Sequence, residues 1–316
     1  MSPRHIVTRS PSKKKIIFLV GPTAVGKSEI ATHLAKRINA EIVSCDSMQV
    51  YRNMDILTSK PDKKLLRKVP HHLLGILPPT KEYDVSRFRK DALKKISQIT
   101  QKGKIPIFAG GTGLYMTVLV DGIFASPPAN RKVRDAFYKQ VEKYGSKYLY
   151  QRLLKADPQA AQKIHPNDLR RIIRALEVFK LTGKPISELQ QQRRSLGEEF
   201  DVKLFCLNRK RGKLYQRIDQ RVDRMFKLGL EKEVKRLLKH RLSRTASYAI
   251  GFRELKGYFD GQYSLEEAKR LIKRNSRMYA KRQLTWFRKD KRINWINLSE
   301  RDKPKEAANL LWKKLS

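Results

Sequence analysis

Five apolar residues in succession, IIFLV at residues 16–20, leave no polar position to mark a solvent face. Such a run fits a strand covered on both sides, as in a parallel sheet. From Glu29 the apolar positions recur at helical spacing. Two further strand-like runs follow, EIVSC at 41–45 and IPIFA at 105–109, with helical spacing over 83–100 between them. The intervening TSKP and PHHLLG stretches read as loop. Strands alternating with helices predict an α/β fold on a parallel sheet, with ligands beyond the carboxyl ends of the strands. These three strands end in GPTAVGKS, DSMQ and GGTGLY, so the three polar loops are expected along one rim.

The texture changes near Ala125. SPPAN reads as a turn or linker, and residues 131–192 are charged and mostly helical, without a convincing strand. DVKLFCL at 201–207 returns to the buried-strand pattern, and helix follows from Gly212. Residues 214–238 predict a long helix or a helix pair. The SYAIGFREL turn, helices through Arg288, a final strand at 293–298 (INWINL) and a closing helix at 305–315 complete the chain. The expected organisation is a basic tail (1–14), an α/β core (15–124 and 201–316) and a helical insertion (125–200). No internal repeat interrupts it.

With 316 residues the chain can bury a large core, and 40% hydrophobic content is ordinary for a globular protein. Charge is the outlier: 71 Lys and Arg against 30 Asp and Glu give a formal +41. That balance favours a polyanionic partner, nucleic acid first, over lysines that only decorate solvated faces. Cys45 and Cys206 lie in apolar runs, too few for a zinc site or disulfide framework, and are expected as buried free thiols in a reducing compartment. No apolar run reaches transmembrane length. The first 15 residues are basic and acid-free but lack a signal peptide's apolar stretch, so a basic tail is expected rather than an organellar targeting segment.

Chemistry enters at the first loop. Gly21, Gly26, Lys27 and Ser28 satisfy G-x-x-x-x-G-K-[ST] between a predicted strand and a predicted helix, the context that motif requires. Glycines admit close backbone approach, and loop N–H groups at a helix N-terminus attract phosphate. Lys27 supplies a cation, and the Ser28 hydroxyl suits Mg²⁺ bound to phosphate oxygens. A di- or triphosphate ligand is therefore expected on Gly21, Pro22, Thr23, Ala24, Val25, Gly26, Lys27 and Ser28. Asp46, just past the second strand, places a carboxylate beside that loop. On the residues alone it is a Walker-B-like Mg²⁺ ligand or a cap for the following turn.

The ordered set GPTAVGKS, DSMQVYR, TSKP, PHHLL, GGTGLY, HPNDLRRIIRALEV, RIDQRVDRM, AIGFREL and AKRQLTWFR resembles the tRNA dimethylallyltransferase family of bacterial type, over about residues 15–288. The resemblance implies a P-loop α/β core with a helical insertion. It also implies Mg²⁺ as cofactor, and transfer of the dimethylallyl group of dimethylallyl diphosphate to the N6 amine of the adenosine following the anticodon of tRNA. By the same resemblance Asp46 is the general base, Thr112 helps orient the amine, and Arg221 reaches the diphosphate. Asp46, Ser47, Met48, Gln49 and Thr112 would contact the target adenosine, which must leave its stack to react. Arg134, Arg170, Arg171, Arg174 and the run Ser247, Tyr248, Ala249, Ile250, Gly251, Phe252 would contact the anticodon arm. A cytoplasmic monomer without membrane attachment is expected. Trp286, Phe287 and Tyr279 are expected in the core rather than as stacking platforms.

Gly75 departs from the family, which usually carries Asp there, and no CxxC…HxxxH pattern follows Arg288, as it does in eukaryotic relatives. Competing readings are a kinase using the same loop on ATP, an isopentenyltransferase acting on free nucleotides, and a non-catalytic nucleic-acid-binding protein. The combined motifs oppose the first. The basic insertion opposes the second, and intact Lys27, Ser28 and Asp46 oppose the third.

Overall fold

The computed structural model describes residues 13–124, 127–299 and 302–315. Most of the expected basic tail, and residues 125–126 of the expected linker, lie outside that set. In chain order the first elements are β1 (Lys14–Val20), α1 (Lys27–Arg37), β2 (Ala40–Ser44), α2 (Lys63–Leu66), β3 (His71–His72), α3 (Val85–Gln101), β4 (Ile105–Gly110) and α4 (Gly113–Asp121). Then come α5 (Arg131–Tyr144), α6 (Ser146–Ala156), α7 (Pro158–Lys163), α8 (Leu169–Thr182) and α9 (Ile186–Gln191). The chain closes with β5 (Phe200–Arg209), α10 (Arg211–Lys227), α11 (Leu230–Leu237), α12 (Phe252–Phe259), α13 (Leu265–Phe287), β6 (Asn294–Leu298) and α14 (Pro304–Lys313).

The six strands form one sheet in the order β3-β2-β4-β1-β5-β6, and every pairing is parallel. The fold is of the α/β class. β1 is central, and its side chains alternate between two cores: Ile16, Phe18 and Val20 join one, Ile17 and Leu19 the other. Full burial of each contributes on the order of 1.5–3 kcal/mol, which is why the run shows no polar alternation. Phe18 stacks on Phe108 of β4 with centroids 4.9 Å apart.

β5 starts at Phe200 and runs to Arg209, longer than the apolar run 201–207, because β1 pairs with it from Lys14↔Phe200 onward. β3 lies in the PHHLLG stretch read as loop. It pairs with β2 only through Ile42↔His71 and Val43↔His72, and two half-buried histidines carry no hydrophobic period.

Two compact units emerge, Met1–Val120 with Leu196–Ser316, and Asp121–Ser195. The sheet belongs to the first. The second contains α5 to α9 around a core that includes Phe137, Leu149, Leu153, Ile172 and Leu176. Its polar centre is Glu177, whose side chain is 0% exposed. Glu177 accepts two hydrogen bonds from the Arg134 guanidinium, each 2.9 Å, and one from the Asn130 amide at 2.7 Å. A further bond comes from Arg174, which also donates to the Pro127 carbonyl. These partners hold the carboxyl below its ordinary range despite burial.

Candidate active site

Because β2, β4 and β1 are consecutive and parallel, the loops after Ser44, Gly110 and Val20 stand side by side at their carboxyl ends. Close approach is enforced by glycine. A Cβ on Gly110 would lie 2.0 Å from the Cys45 carbonyl oxygen, so no other residue lets β4 pass the end of β2.

The phosphate loop joins β1 to α1. Gly26 caps α1 with φ 113°, and no side chain caps that end, so its first N–H groups stay available to an anion. The Lys27 ammonium folds back over the loop, donating to the carbonyls of Gly21 at 2.9 Å and Pro22 at 2.8 Å. Burial lowers its pKa from 10.5 to about 8, opposed by the Asp46 carboxylate and assisted by the Arg221 charge. Arg221, on α10, donates to Thr23 Oγ1 at 2.9 Å and to Ser59 Oγ at 2.8 Å. Burial pulls its pKa down, against the pull of Asp46. Two more arginines brace the loop from behind: Arg217 Nε donates to the Ala24 carbonyl at 2.9 Å and Arg209 Nε to that of Val25 at 3.2 Å.

Asp46 opens the turn after β2. Its Oδ1 accepts from the Met48 amide at 2.9 Å and the Gln49 amide at 3.4 Å, so the turn-cap role is real. Oδ2 has no hydrogen-bond partner among the described residues, and the carboxylate lines both site cavities. Thr112 stands between β4 and α4. Its Oγ1 accepts from the Ser47 amide at 3.0 Å and so ties the β4 loop to the Asp46 turn. Gln49 is internally committed, accepting from Ser44 Oγ at 3.1 Å and donating to the Ser59 carbonyl at 3.3 Å.

Two cavities adjoin across this constellation. One, about 650 Å³, contains Ala24, Gly26, Lys27 and Ser28 with Lys60, Lys63, Arg217 and Arg224. The other, about 350 Å³, is walled by Met48, Leu57, Ile218, Val222, Ile250 and Ile272. Thr23, Asp46, Ser59, Arg221, Met225 and Tyr279 line both. A chamber rich in lysine and arginine thus opens beside a smaller one that has an apolar wall together with serine, threonine and arginine side chains, and a carboxylate and a guanidinium stand where the two adjoin. Among the described residues no three His, Cys, Asp or Glu side chains cluster as a ready metal cage. Ser28 and Asp46 nevertheless supply hard oxygens to the phosphate chamber, a donor set suited to Mg²⁺ held mainly by phosphate oxygens.

The remaining sequence-predicted positions separate into groups. In the run from Ser247 to Phe252, Tyr248, Ala249 and Ile250 line the apolar cavity, whereas Phe252 is buried core and Ser247 Oγ bonds the Arg244 carbonyl. Tyr248 is 50% exposed beneath the Arg253 guanidinium, 4.1 Å from its centroid. In the second unit Arg134 and Arg174 are engaged by Glu177 and Arg171 pairs with Asp168, while Arg170 is exposed. The core expectation holds for Phe287 alone: Tyr279 lines both cavities, and Trp286 is 37% exposed. Helical period places residues on faces but does not say which face meets a cavity.

Two residues escaped sequence reasoning. Gln283, buried on α13, bonds both the phosphate loop and the β4 loop. Glu233, on α11, accepts from three successive amides, those of Asp55, Ile56 and Leu57, at 3.1, 3.0 and 2.8 Å. It thereby holds the turn that carries Leu57 and Ser59 to the site. AKRQLTWFR contains Gln283, yet nothing local shows that a glutamine in a helix will face a loop.

A family profile described as IPP transferase matches residues 49–290, and one described as isopentenyl transferase matches residues 14–74. A protein from Carboxydothermus hydrogenoformans named tRNA dimethylallyltransferase is 48% identical over 286 residues, 90% of this chain and 92% of that one. One of the same name from Halothermothrix orenii is 43% identical over 309 residues, 97% of this chain and 94% of the relative. The crystal structure of tRNA isopentenylpyrophosphate transferase from Bacillus halodurans superposes with TM-score 0.68 at 40% identity, covering 96% of this chain and 97% of that chain. A eukaryotic dimethylallyltransferase acting on tRNA superposes with TM-score 0.77 at 32% identity, over 91% of this chain and 74% of that one. With the profile spanning most of the chain and relatives this similar over nearly its whole length, the chain belongs to the IPP transferase family, the tRNA dimethylallyltransferases.

Proposed function

We propose that this protein transfers the dimethylallyl group of dimethylallyl diphosphate to the N6 amine of the adenosine next to the anticodon in tRNA. The observation that carries the reading is the shared wall, where Thr23, Asp46 and Arg221 stand between a cationic phosphate chamber and a smaller one with an apolar wall. The diphosphate binds to residues 21–28, with Lys27 and Arg221 as counter-charges. The five-carbon group extends into the apolar chamber, and the flipped adenine brings its amine against Asp46.

As the allylic carbon–oxygen bond breaks and the carbon–nitrogen bond forms, negative charge gathers on the departing diphosphate. Fixed cations in a shielded chamber stabilise that charge. The adenine amine is scarcely basic, so its proton leaves during attack, and the unpartnered oxygen of Asp46 is placed to accept it. Thr112 steadies Asp46 indirectly through the Ser47 amide. Mg²⁺, held through the Ser28 hydroxyl, would add Lewis-acid neutralisation of the diphosphate.

The insertion, residues 125–200 in the sequence reading, grips the anticodon arm through exposed basic side chains such as Arg170, and the protein works as a cytoplasmic monomer. Among the described residues no helix is long and apolar enough to cross a membrane. Purified protein with labelled dimethylallyl diphosphate and either bulk tRNA or free AMP, ADP and ATP tests the proposal. Label should enter tRNA adenosine. Transfer to free nucleotides alone, or phosphate transfer from ATP in its place, would overturn it.

A further inference from the structure

Gln283 is 5% exposed and spends both ends of its amide on the site. Its Oε1 accepts from the Thr23 amide at 2.9 Å, and its Nε2 donates to the Gly111 carbonyl at 2.9 Å. Thr23 belongs to the phosphate loop and carries the hydroxyl that receives Arg221. Gly111 precedes Thr112, whose hydroxyl holds the Asp46 turn through the Ser47 amide. The amide therefore joins the half of the site that binds diphosphate to the half that presents the carboxylate. The fit is close: a Cβ on Gly111 would lie 2.1 Å from Gln283 Nε2. Neighbours on α13 reinforce the contact. Tyr279, one turn earlier, lines both cavities, and Trp286 packs so closely on Gly113 that a Cβ there would lie 2.3 Å from its ring.

We propose that Gln283 is a positioning residue of the transfer reaction. Its amide fixes the phosphate loop relative to the loop that steadies Asp46, so that the leaving diphosphate and the accepting carboxylate address one reacting pair. This rests on the transferase reading above. The chemistry is selective, because the position must accept from an N–H on one side and donate to a carbonyl on the other. Methionine keeps the volume but provides neither function in adequate strength. Ionised glutamate accepts twice and sets a negative oxygen against the Gly111 carbonyl. Protonated glutamic acid restores one acceptor and one donor in nearly the amide's shape.

The experiment measures kcat and KM for tRNA prenylation in wild type, Gln283→Met and Gln283→Glu, with thermal midpoints recorded for each. Gln283→Met should lower kcat about 100-fold, the cost of ångström-scale misplacement, with a smaller change in KM for dimethylallyl diphosphate. For Gln283→Glu, kcat relative to wild type at the same pH should rise as pH falls and the buried carboxyl takes up its proton. Full kcat in Gln283→Met overturns the inference. So does a Gln283→Glu to wild-type ratio that is flat with pH where the thermal midpoints show both proteins folded, since protonation restores the donor and acceptor of the amide. If wild type itself fails to prenylate tRNA, the transferase reading fails. If wild type is active and the variants behave as wild type, only the role of Gln283 does.

Discussion

Between pH 7 and 10 the efficiency with which this protein uses dimethylallyl diphosphate should break downward near pH 8. The group responsible is Lys27, whose pKa burial lowers from 10.5 to about 8. A displacement of that size corresponds to about 3 kcal/mol disfavouring the ammonium in the folded chain. The sign follows from which state binds better. The diphosphate needs the cation, present below pH 8 and lost above it, so kcat/KM should fall about tenfold for each pH unit beyond the break. Folding stability runs the other way: the penalty is full below pH 8 and fades as pH rises from 8 towards 10.5. Initial rates at limiting dimethylallyl diphosphate and saturating tRNA measure the profile. Lys27→Ala should lie about 2–4 kcal/mol lower in transition-state stabilisation, the scale for one electrostatic group in a shielded site, and its profile should lose the break. A wild-type profile level to pH 10, or the same break in Lys27→Ala, would refute the assignment.

Asp46→Asn keeps the turn's shape but removes the proton acceptor. Turnover should fall by a factor of roughly 10²–10⁴ with tRNA affinity little changed, and collapse of tRNA binding instead would make Asp46 a recognition residue. Arg170 and Arg174 should separate cleanly. Exposed Arg170→Ala should leave the thermal midpoint alone and reduce the log–log salt slope of tRNA binding by about one, whereas an unchanged slope would make it a solvated side chain. Arg174→Ala strips a partner from buried Glu177 and should destabilise by about 1–3 kcal/mol, read by thermal unfolding. Equal stability in the two variants would contradict the engagement of Arg174 by Glu177.

The strands, the parallel sheet and the shared rim of three loops were legible because each rests on local pattern: apolar runs, a glycine-rich motif, and polar residues directly after strands. Asp46, Arg221 and the phosphate loop line the same cavities, and Thr112, which lines neither, is tied to the Asp46 turn through the Ser47 amide. What could not be read was which side chains turn inward. Arg134 and Arg174 carry the same charge as Arg170, yet a buried carboxylate claims two of them and leaves the third outside. Likewise β3 exists only because β2 has a free edge, and Gln283 matters only because two distant glycine loops approach it.

The placement of β1 also constrains how the chain is made. Its seven pairings with β5 join Lys14–Val20 to residues 200–206, and the whole Asp121–Ser195 unit intervenes in the chain. Chains grow from the N-terminus, so β1, α1, β2 and β4 leave the ribosome well before β5 does. Until residue 206 has emerged, one edge of β1 presents unpaired N–H and carbonyl groups beside Ile, Phe and Leu side chains. That is the kind of edge on which strands from other chains can assemble. The second unit has its own apolar core and can fold meanwhile, which shortens the loop that β5 must close. The time taken to translate residues 121–206 thus sets how long that edge of β1 stays open, whatever the stability of the finished sheet.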